Sequence, residues 1–277
     1  GCVCSQMTSE RRGRYHFVDP AFWSVLSPHE LWLGAAAFPA EVTFGGEAVD
    51  RLFDEISALM GGLLLLTAVL IAWAVMRGTG RRDGEGSARN GSTALELVWT
   101  ALPAVALGFV LVRQLEVREQ LMAAPRAAGL GAAFAVGVDA HQFEWRFRYP
   151  GADGAVWTAD DVVSIGELAL PAGRPIELVM RSRDVIHSFF APALRTKRDV
   201  VPGRDTRMTF VIDPADLPLG FGAATGAGSR GEALLGLECA ELCGWGHAAM
   251  VGRISVLGAE ALTDWLTARV AERTAED

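Results

Sequence analysis

Two long apolar runs occupy the first half of the chain. The first extends from Ile56 to Met76, about 21 residues without a charge, which is long enough to cross a hydrocarbon core of about 30 Å as a helix. The second extends from Leu95 to Val112 and contains Pro103, a residue that membrane helices tolerate. Neither run has the polar face of a surface helix, so the pattern favours two membrane spans over a buried hairpin in a soluble protein.

The segment between the two runs is polar and basic. Arg77 follows the first run directly, and Arg81, Arg82 and Arg89 follow it among glycine and serine residues. Basic loops stay on the cytoplasmic side of a membrane. The pattern therefore predicts a two-pass hairpin with both ends of the chain on the non-cytoplasmic side.

The pattern changes after residue 131, where apolar and polar residues alternate over short stretches separated by glycine and proline turns. Such stretches are typical of an antiparallel β-sandwich or barrel. A short amphipathic helix is predicted at residues 259–270. The predicted strands lie at residues 134–139, 144–149, 176–181, 207–212 and 233–237.

These patterns divide the chain into five parts. They are a non-cytoplasmic N-terminal extension at residues 1–54, a transmembrane hairpin at 55–113, a linker at 114–131, a β-domain at 132–258, and a C-terminal amphipathic helix with its tail at 259–277.

Composition supports this division and excludes one class of partner. Apolar residues make up 51% of the chain, as expected for one moderate soluble domain joined to membrane segments. The formal net charge of −8 disfavours nucleic acid, which needs a basic face. Cys2 lies at the N-terminus, where it is either a lipidation site that adds a membrane anchor or part of an exposed tail.

The most informative stretch is the short segment from Cys239 to Met250, which also contains Cys243 and His247. Thiolate and thioether sulfur select soft metals, and thiolate, imidazole and methionine together are the pattern of copper electron-transfer sites. His187 lies upstream between apolar residues and is a further candidate ligand. One cysteine would suit a mononuclear site, whereas two cysteines can each bridge two ions.

Two other interpretations of the cysteines remain open. Zinc sites also use Cys and His, but methionine is a poor zinc ligand, and zinc motifs more often place their cysteines two residues apart. Disulfides within or between the pairs Cys2–Cys4 and Cys239–Cys243 are the second alternative. A disulfide does not require the neighbouring His247 and Met250, so we favour copper.

Several motifs together make the chain resemble subunit II of the haem–copper oxidases, the cytochrome c oxidase type with a dinuclear copper A centre, over roughly residues 55–270. The segment from Cys239 to Met250 is the most specific of them. The motifs are Glu96-Leu-Val-Trp99-Thr-Ala-Leu-Pro103, His141-Gln-Phe-Glu-Trp145, Asp184-Val-Ile-His187-Ser-Phe, Pro202-Gly-Arg204 and the segment itself.

The resemblance implies a fold, a ligand set and a second ion. The expected fold is a two-helix transmembrane hairpin followed by an all-β, cupredoxin-like Greek-key sandwich. The carboxylate of Glu241 is expected to bind magnesium or manganese at the interface with subunit I. The implied copper ligands are His187, Cys239, the backbone carbonyl of Glu241, Cys243, His247 and Met250.

The resemblance also implies a function within an enzyme complex. The chain would accept electrons from a c-type cytochrome, free or in a supercomplex, and pass them to haem in subunit I, where oxygen is reduced to water and protons are translocated. The implied partners are subunits I and III and the lipid of a bacterial inner membrane, with the copper domain on the periplasmic side. The electron-input subunit of a copper A nitric oxide reductase, and a membrane-anchored copper-binding module, are alternatives.

Other residues have roles that the resemblance only suggests. Glu96 matches an acid at the mouth of the family's proton pathway, but it also suits the hydrated start of a helix. The family's electron-input Trp is replaced by Phe143, while the second Trp of that motif is kept as Trp145. Trp245 is a possible substitute, although we interpret it first as a packing residue.

Two departures from the family's usual sequence pattern concern the cytochrome donor. Arg148 stands where relatives carry an acid that helps to dock cytochrome c, and the segment Leu217–Arg230 lengthens the approach to the copper loop. Both favour a dedicated cytochrome partner over a generic basic cytochrome c.

Overall fold

The computed structural model describes residues 39–78, 91–127, 132–217 and 232–276. The predictions for residues 1–38, for the basic loop, for residues 218–230 and for lipidation of Cys2 lie outside these residues. Helix α1 (Gly46–Gly78) and helix α2 (Thr93–Ala127) precede the β-domain, and helix α3 (Ala259–Glu276) follows it.

Helices α1 and α2 are the two predicted apolar helices, which the structure confirms. Each is long and apolar enough to cross a membrane, and its apolar window is not buried within the protein. The two helices are joined by an ion pair in which the Arg113 guanidinium donates to both carboxylate oxygens of Glu55, at 2.8 and 2.7 Å. Such a bidentate pair fixes the two helices relative to each other.

Both helices extend beyond the predicted bounds. Helix α1 begins at Gly46, within the segment assigned to the N-terminal extension. Residues 114–127 of the predicted linker at 114–131 are helical in the structure, because α2 continues to Ala127. Residues 114–123 are mostly good helix formers, and Arg113 also pairs with Glu116 one turn further on, at 2.5 Å.

The β-domain contains ten strands in the described residues, and they form two five-stranded sheets. The first sheet has the order β3-β2-β1-β5-β8, and the second has the order β4-β10-β9-β6-β7. The strands are β1 Phe134–His141, β2 Glu144–Tyr149, β3 Val162–Ile165, β4 Glu167–Pro171, β5 Pro175–Ser182, β6 His187–Ala191, β7 Thr196–Val200, β8 Thr206–Val211, β9 Glu232–Cys239 and β10 Val251–Leu257.

The predicted cupredoxin-like sandwich is confirmed, but its sheets are mixed rather than purely antiparallel. Strand β1 pairs in parallel with β5, and β4 pairs in parallel with β10. Alternation along a strand reports which side chains face the core, but it does not report the direction of a partner that is distant in sequence. The antiparallel prediction is therefore wrong for these two pairs.

The core between the sheets is built from alternate strand positions. On β2, Trp145, Phe147 and Tyr149 are buried, whereas the intervening Arg146 and Arg148 are half-buried. Full burial of a large apolar side chain contributes about 1.5–3 kcal/mol. On the second sheet, Phe189 and Leu237 are also fully buried.

The N-terminal part of α1 is attached to the β-domain. Thr43 forms an antiparallel bridge with Ile212, just before the helix begins. The Arg195 guanidinium then donates to both carboxylate oxygens of Asp50, at 2.6 and 2.9 Å. Since Arg195 follows β6 after one short turn, this pair connects α1 to the end of β6 that lies away from His187.

Replacing Asp50 with asparagine tests this attachment. The Arg195 side chain is only 7% exposed, so its charge would lose its main compensation. We expect the free energy of unfolding to fall by about 2–3 kcal/mol, measured by thermal unfolding of the detergent-solubilised chain. The control Arg51→Gln removes only an exposed ion pair with Glu47. It should lower the free energy of unfolding by less than about 0.5 kcal/mol. Equal losses for the two variants would contradict the prediction.

Candidate metal centre

The candidate centre lies at one end of the second sheet, where three strand ends meet. Strand β6 begins at His187, β9 ends at Cys239, and β10 begins at Val251. Antiparallel pairing places Cys239 directly opposite Phe189. This register brings the first residues of β6 next to the loop between β9 and β10.

Backbone hydrogen bonds close this loop at its base. The Cys239 amide donates to the Met250 carbonyl at 3.1 Å, so the two ends of the loop are held together. The Ala240 amide donates to the Ser188 carbonyl at 3.0 Å, which joins the loop to β6. The Met250 amide donates to the His247 carbonyl at 3.1 Å and closes a short turn. The ligand-bearing loop is therefore an extension of the sheet.

Three of the predicted ligands form a compact group. The ligand atoms of His187, Cys239 and Cys243 all lie within 4.8 Å of one another, and all three residues are buried. The Cys239 sulfur is 3.9 Å from the Cys243 sulfur and 3.9 Å from Nδ1 of His187. It is also 3.3 Å from the backbone oxygen of Glu241.

The remaining two predicted ligands lie beside Cys243. Its sulfur is 3.6 Å from Nδ1 of His247 and 3.8 Å from the Met250 sulfur. Met250 is fully buried, and His247 is half-buried. The two thiols thus occupy the middle of the cluster, with one imidazole on each side.

This geometry fits a metal and does not fit a disulfide. A disulfide needs sulfurs about 2.05 Å apart, and both cysteines are free at 3.9 Å. Metal bonds to sulfur and to imidazole nitrogen measure about 2.0–2.3 Å, so two ligands of one ion lie no more than about 4.5 Å apart. Every neighbouring pair in the cluster satisfies this limit. Two central sulfurs with ligands on both sides suit two soft ions better than one.

Asp184 orients the first imidazole. Its carboxylate accepts from Nε2 of His187 at 2.8 Å, which leaves Nδ1 directed toward Cys239. The pKa of His187 is raised, because its hydrogen bonds with Cys239 and Asp184 outweigh the burial that opposes its charge. The pKa of Asp184 is lowered, since the Gln142 amide and His187 outweigh the burial that opposes ionisation.

The two thiols differ in acidity. Burial opposes ionisation of Cys239, but hydrogen bonds from His187 and from the Ser188 backbone lower its pKa to about 6. Burial and the neighbouring charge of Cys239 raise the pKa of Cys243 to about 11. A metal ligand must be a thiolate, so the metal-free centre already holds one of its two sulfurs in the binding form near neutral pH.

The turn between β1 and β2 covers one side of the loop. The Gln142 side-chain amide donates to the Cys243 carbonyl. The Phe143 ring lies against the backbone of Gly246, where an added Cβ would come within 2.5 Å of the ring. Gly244 has a φ of +137°, a conformation that favours glycine. These glycines allow the loop to pass close to the turn.

The structure separates the three candidate electron-input aromatics. Trp145 is fully buried, with its ring 6.2 Å from the His187 ring, so it does not reach the surface. Trp245 is 95% exposed, so our interpretation of it as a packing residue is wrong. Its ring contacts the half-buried Phe143, with ring centres 5.1 Å apart in an edge-to-face arrangement.

Arg148 does not lie on the surface as a free docking charge. Its side chain is only 20% exposed and pairs with Asp139 at 3.3 Å and Asp161 at 3.7 Å. Its guanidinium also lies over the Trp157 ring. The expected effect of Arg148 on the donor stays a prediction, but the structure shows that Asp139 and Asp161 lie beside its guanidinium.

Two predicted roles stay predictions. Glu96 lies exposed in the first turn of α2, where an acid is favourable at a helix start. Glu241 is exposed in the loop, and its binding of a second ion stays an expectation from the resemblance.

Gln142 and Asp184 lie within the sequence motifs, but no role was predicted for either of them. The structure places both against the ligand cluster, as donor to Cys243 and acceptor from His187. The position of Asp184, three residues before His187, is the sequence feature that could have indicated its contact with the imidazole.

The comparisons with known proteins include the β-domain that carries the site. Residues 135–256 match the family model described as cytochrome C oxidase subunit II, periplasmic domain. This range contains the candidate ligands and all but the first and last residues of the two sheets. The resemblance found from the sequence motifs is confirmed.

Named relatives carry the same family description. Cytochrome c oxidase subunit 2 of Synechocystis sp. is 26% identical over 88% of this chain and 80% of its own length. The alternative cytochrome c oxidase subunit 2 of Bradyrhizobium diazoefficiens is 32% identical over 45% of this chain and 47% of its own length. A crystal structure of the periplasmic domain of subunit II of cytochrome oxidase from Bradyrhizobium japonicum aligns with a TM-score of 0.39 and 21% identity, over 51% of this chain and 96% of that one.

The contact between Phe143 and Gly246 yields a prediction. An alanine at position 246 would force the Phe143 ring out of its place. We expect Gly246→Ala to lower the free energy of unfolding by about 1–3 kcal/mol through overpacking and to change the fluorescence of Trp245. The matched control is Gly236→Ala on β9, where an added Cβ meets nothing within 4 Å. If Gly246→Ala is as stable as the unmodified chain, the contact between the Phe143 ring and the loop backbone is contradicted.

The unequal thiols yield a second prediction, for the metal-free chain with Cys2 and Cys4 replaced by serine. We expect thiolate absorbance in the ultraviolet to rise in two steps, near pH 6 and near pH 11. The two pKa values describe the two interacting thiols together, rather than either thiol alone. Cys239→Ser should remove the lower step and move the remaining one to lower pH, because Cys243 loses a negative neighbour. A single step near the ordinary thiol value of about 8.5 would contradict this.

Proposed function

We propose that the chain, whose residues 135–256 match the family model of the cytochrome c oxidase subunit II periplasmic domain, is the electron-input subunit of a terminal respiratory oxidase. It would take single electrons from a c-type cytochrome through a dinuclear copper A centre. The electrons would pass to haem in subunit I, where oxygen is reduced to water and protons are translocated.

One observation carries the proposal: two buried free thiols lie 3.9 Å apart with an imidazole beside each. The buried Met250 sulfur adds a soft ligand on one side, and the Glu241 carbonyl adds an oxygen on the other. This donor set suits copper better than zinc, because it includes a thioether. When bound, the copper pair would supply a site that holds one electron shared between two ions.

The chain's own residues would keep that site rigid. The loop is hydrogen-bonded to β6 at its start and closed on itself at its end. Asp184 fixes the orientation of His187, and Gln142 holds the Cys243 carbonyl. A frame that changes little between oxidation states lowers the reorganisation that electron transfer requires.

Other residues would connect the centre to the complex. The Glu241 carboxylate would bind magnesium or manganese at the interface with subunit I, a hard oxygen ligand beside soft sulfur ligands. Glu96 would lie at the mouth of a proton pathway into subunit I. Helices α1 and α2 would anchor the chain in a bacterial inner membrane, with the copper domain on the periplasmic side and subunit III among its partners.

The test is the metal content and spectrum of the purified full-length chain. Copper loading should give a dinuclear content and the multi-line paramagnetic spectrum of a mixed-valence copper pair. Cys239→Ser should abolish the shared-electron spectrum, because it removes a central sulfur. Cys4→Ser is the matched control and should leave both the content and the spectrum unchanged.

Two results would overturn the proposal. One is a spectrum that survives Cys239→Ser intact. The other is tight binding of zinc in preference to copper with no mixed-valence signal. Co-purification of a large haem-containing membrane subunit, and assay of that complex for oxygen consumption, tests the assignment to an oxidase. Reduction of nitric oxide rather than oxygen by the complex would replace that assignment.

A further inference from the structure

Two glycines of the loop between β9 and β10 leave room that the turn between β1 and β2 fills. An added Cβ at Gly244 would lie 2.8 Å from Nε2 of Gln142 and 3.2 Å from the Phe143 ring. An added Cβ at Gly246 would lie 2.5 Å from the same ring. The turn and the loop therefore fit together closely at two positions, one on each side of Trp245.

Gln142 contacts both halves of the ligand cluster. Its side-chain amide donates to the Cys243 carbonyl. Its backbone amide donates to Oδ2 of Asp184 at 2.8 Å, and Oδ1 of the same carboxylate faces Nε2 of His187, also at 2.8 Å. One residue thus reaches the loop through its side chain and the first imidazole through its backbone.

The first half of the cluster is held by the sheet. His187 and Cys239 are strand residues of β6 and β9. The Cys239 amide donates to the Met250 carbonyl at 3.1 Å, and the Ala240 amide donates to the Ser188 carbonyl at 3.0 Å. Because these bonds continue the pairing of β6, β9 and β10, the backbone of this half is placed without help from the turn between β1 and β2.

The second half of the cluster lies outside the strands. Cys243 and His247 belong to the loop, where the His247 amide donates to the Gly244 carbonyl at 3.1 Å and the Met250 amide donates to the His247 carbonyl at 3.1 Å. These bonds order the loop internally and do not connect it to the sheet. The hydrogen bond from the Gln142 side chain attaches the Cys243 backbone to the first sheet.

We infer that Gln142 is a positioning residue for the metal centre: its side-chain amide holds the Cys243 half of the ligand set in place before a metal binds, while the sheet holds the Cys239 half. The inference rests on the proposed function and adds the residue that prepares one half of its site. Gln142 is not a ligand, and it acts through the position of Cys243. Ligands that are already ordered lose less conformational freedom when an ion binds, so affinity rises.

The first experiment measures hydrogen exchange of single amides in the reduced, metal-free, full-length chain in detergent. Gln142→Met keeps the length of the side chain and removes its donors. We expect exchange about tenfold faster at the amides of His247 and Ala249, which lie in the loop, because one hydrogen bond that orders the loop is lost. The amides of Cys239 and Ala240 should keep their protection, since the sheet holds them.

Two further variants separate this hydrogen bond from other effects of the substitution. Gln120→Met makes the same replacement at an exposed position on α2 and should leave exchange in the loop unchanged. Gln142→Glu keeps the length and the polarity, but a carboxylate cannot donate to the Cys243 carbonyl, so this variant should behave as Gln142→Met does. Thermal unfolding of each variant checks that the β-domain is folded.

The second experiment measures copper binding by the same variants. Gln142→Met should weaken the affinity for copper about tenfold against a competing chelator. At saturating copper it should also change the hyperfine pattern of the mixed-valence spectrum, because the surroundings of one central sulfur change. Gln120→Met should match the unmodified chain in both measurements.

The inference is wrong if the loop amides of Gln142→Met exchange as slowly as those of the unmodified chain, or if copper affinity is unchanged. It is also wrong if the amides of Cys239 and Ala240 lose protection to the same degree, because the turn would then support the whole β-domain rather than one half of the site. Failure of the proposed function is a different result. The chain would then show no mixed-valence copper pair with or without the substitution, while exchange in the metal-free chain still reports the role of Gln142.

Discussion

The pairing of β6 with β9 is the constraint on which the rest of the site depends. The two strands are far apart in the sequence, and their register places Phe189 opposite Cys239. Because of this register, His187 at the start of β6 lies within 3.9 Å of a sulfur at the end of β9. A shift by one residue would turn His187 and Cys239 to opposite faces of the sheet, and the cluster would not form.

A second requirement is that polar and ionisable groups remain satisfied inside an apolar core. His187 is fully buried, and its two ring nitrogens face Asp184 and Cys239. The carboxylate of Asp184 is itself held by the Gln142 amide. These bonds offset the cost of burying the imidazole and a thiolate. The same bonds fix the direction of the ligand atoms, so that stability and metal binding depend on one network.

The sequence predicts the parts of this molecule that depend on local pattern. The two apolar runs, the strand positions around residues 134–149 and the spacing of Cys239, Cys243, His247 and Met250 are all readable without a structure. The direction of a strand cannot be read from the sequence in this way, because β1 and β5 are parallel partners separated by a long stretch of chain. The extent of α2 was underestimated, since the residues after Arg113 are of mixed polarity and the prediction followed hydropathy rather than helix propensity.

Side-chain exposure is the feature that sequence could not predict, and it determines how Arg148 and Trp245 are interpreted. As a charged residue at a docking position, Arg148 suggests a surface that repels a basic donor, but two carboxylates and an indole enclose it. As a tryptophan beside ligands, Trp245 suggests core packing, but it projects from the loop and rests its ring edge on Phe143. The two differences have separate causes. Asp139 and Asp161 lie beside the Arg148 guanidinium, so this one charge is paired within the β-domain. The loop is short and bonded to the sheet, so it has no room to fold a large ring inward.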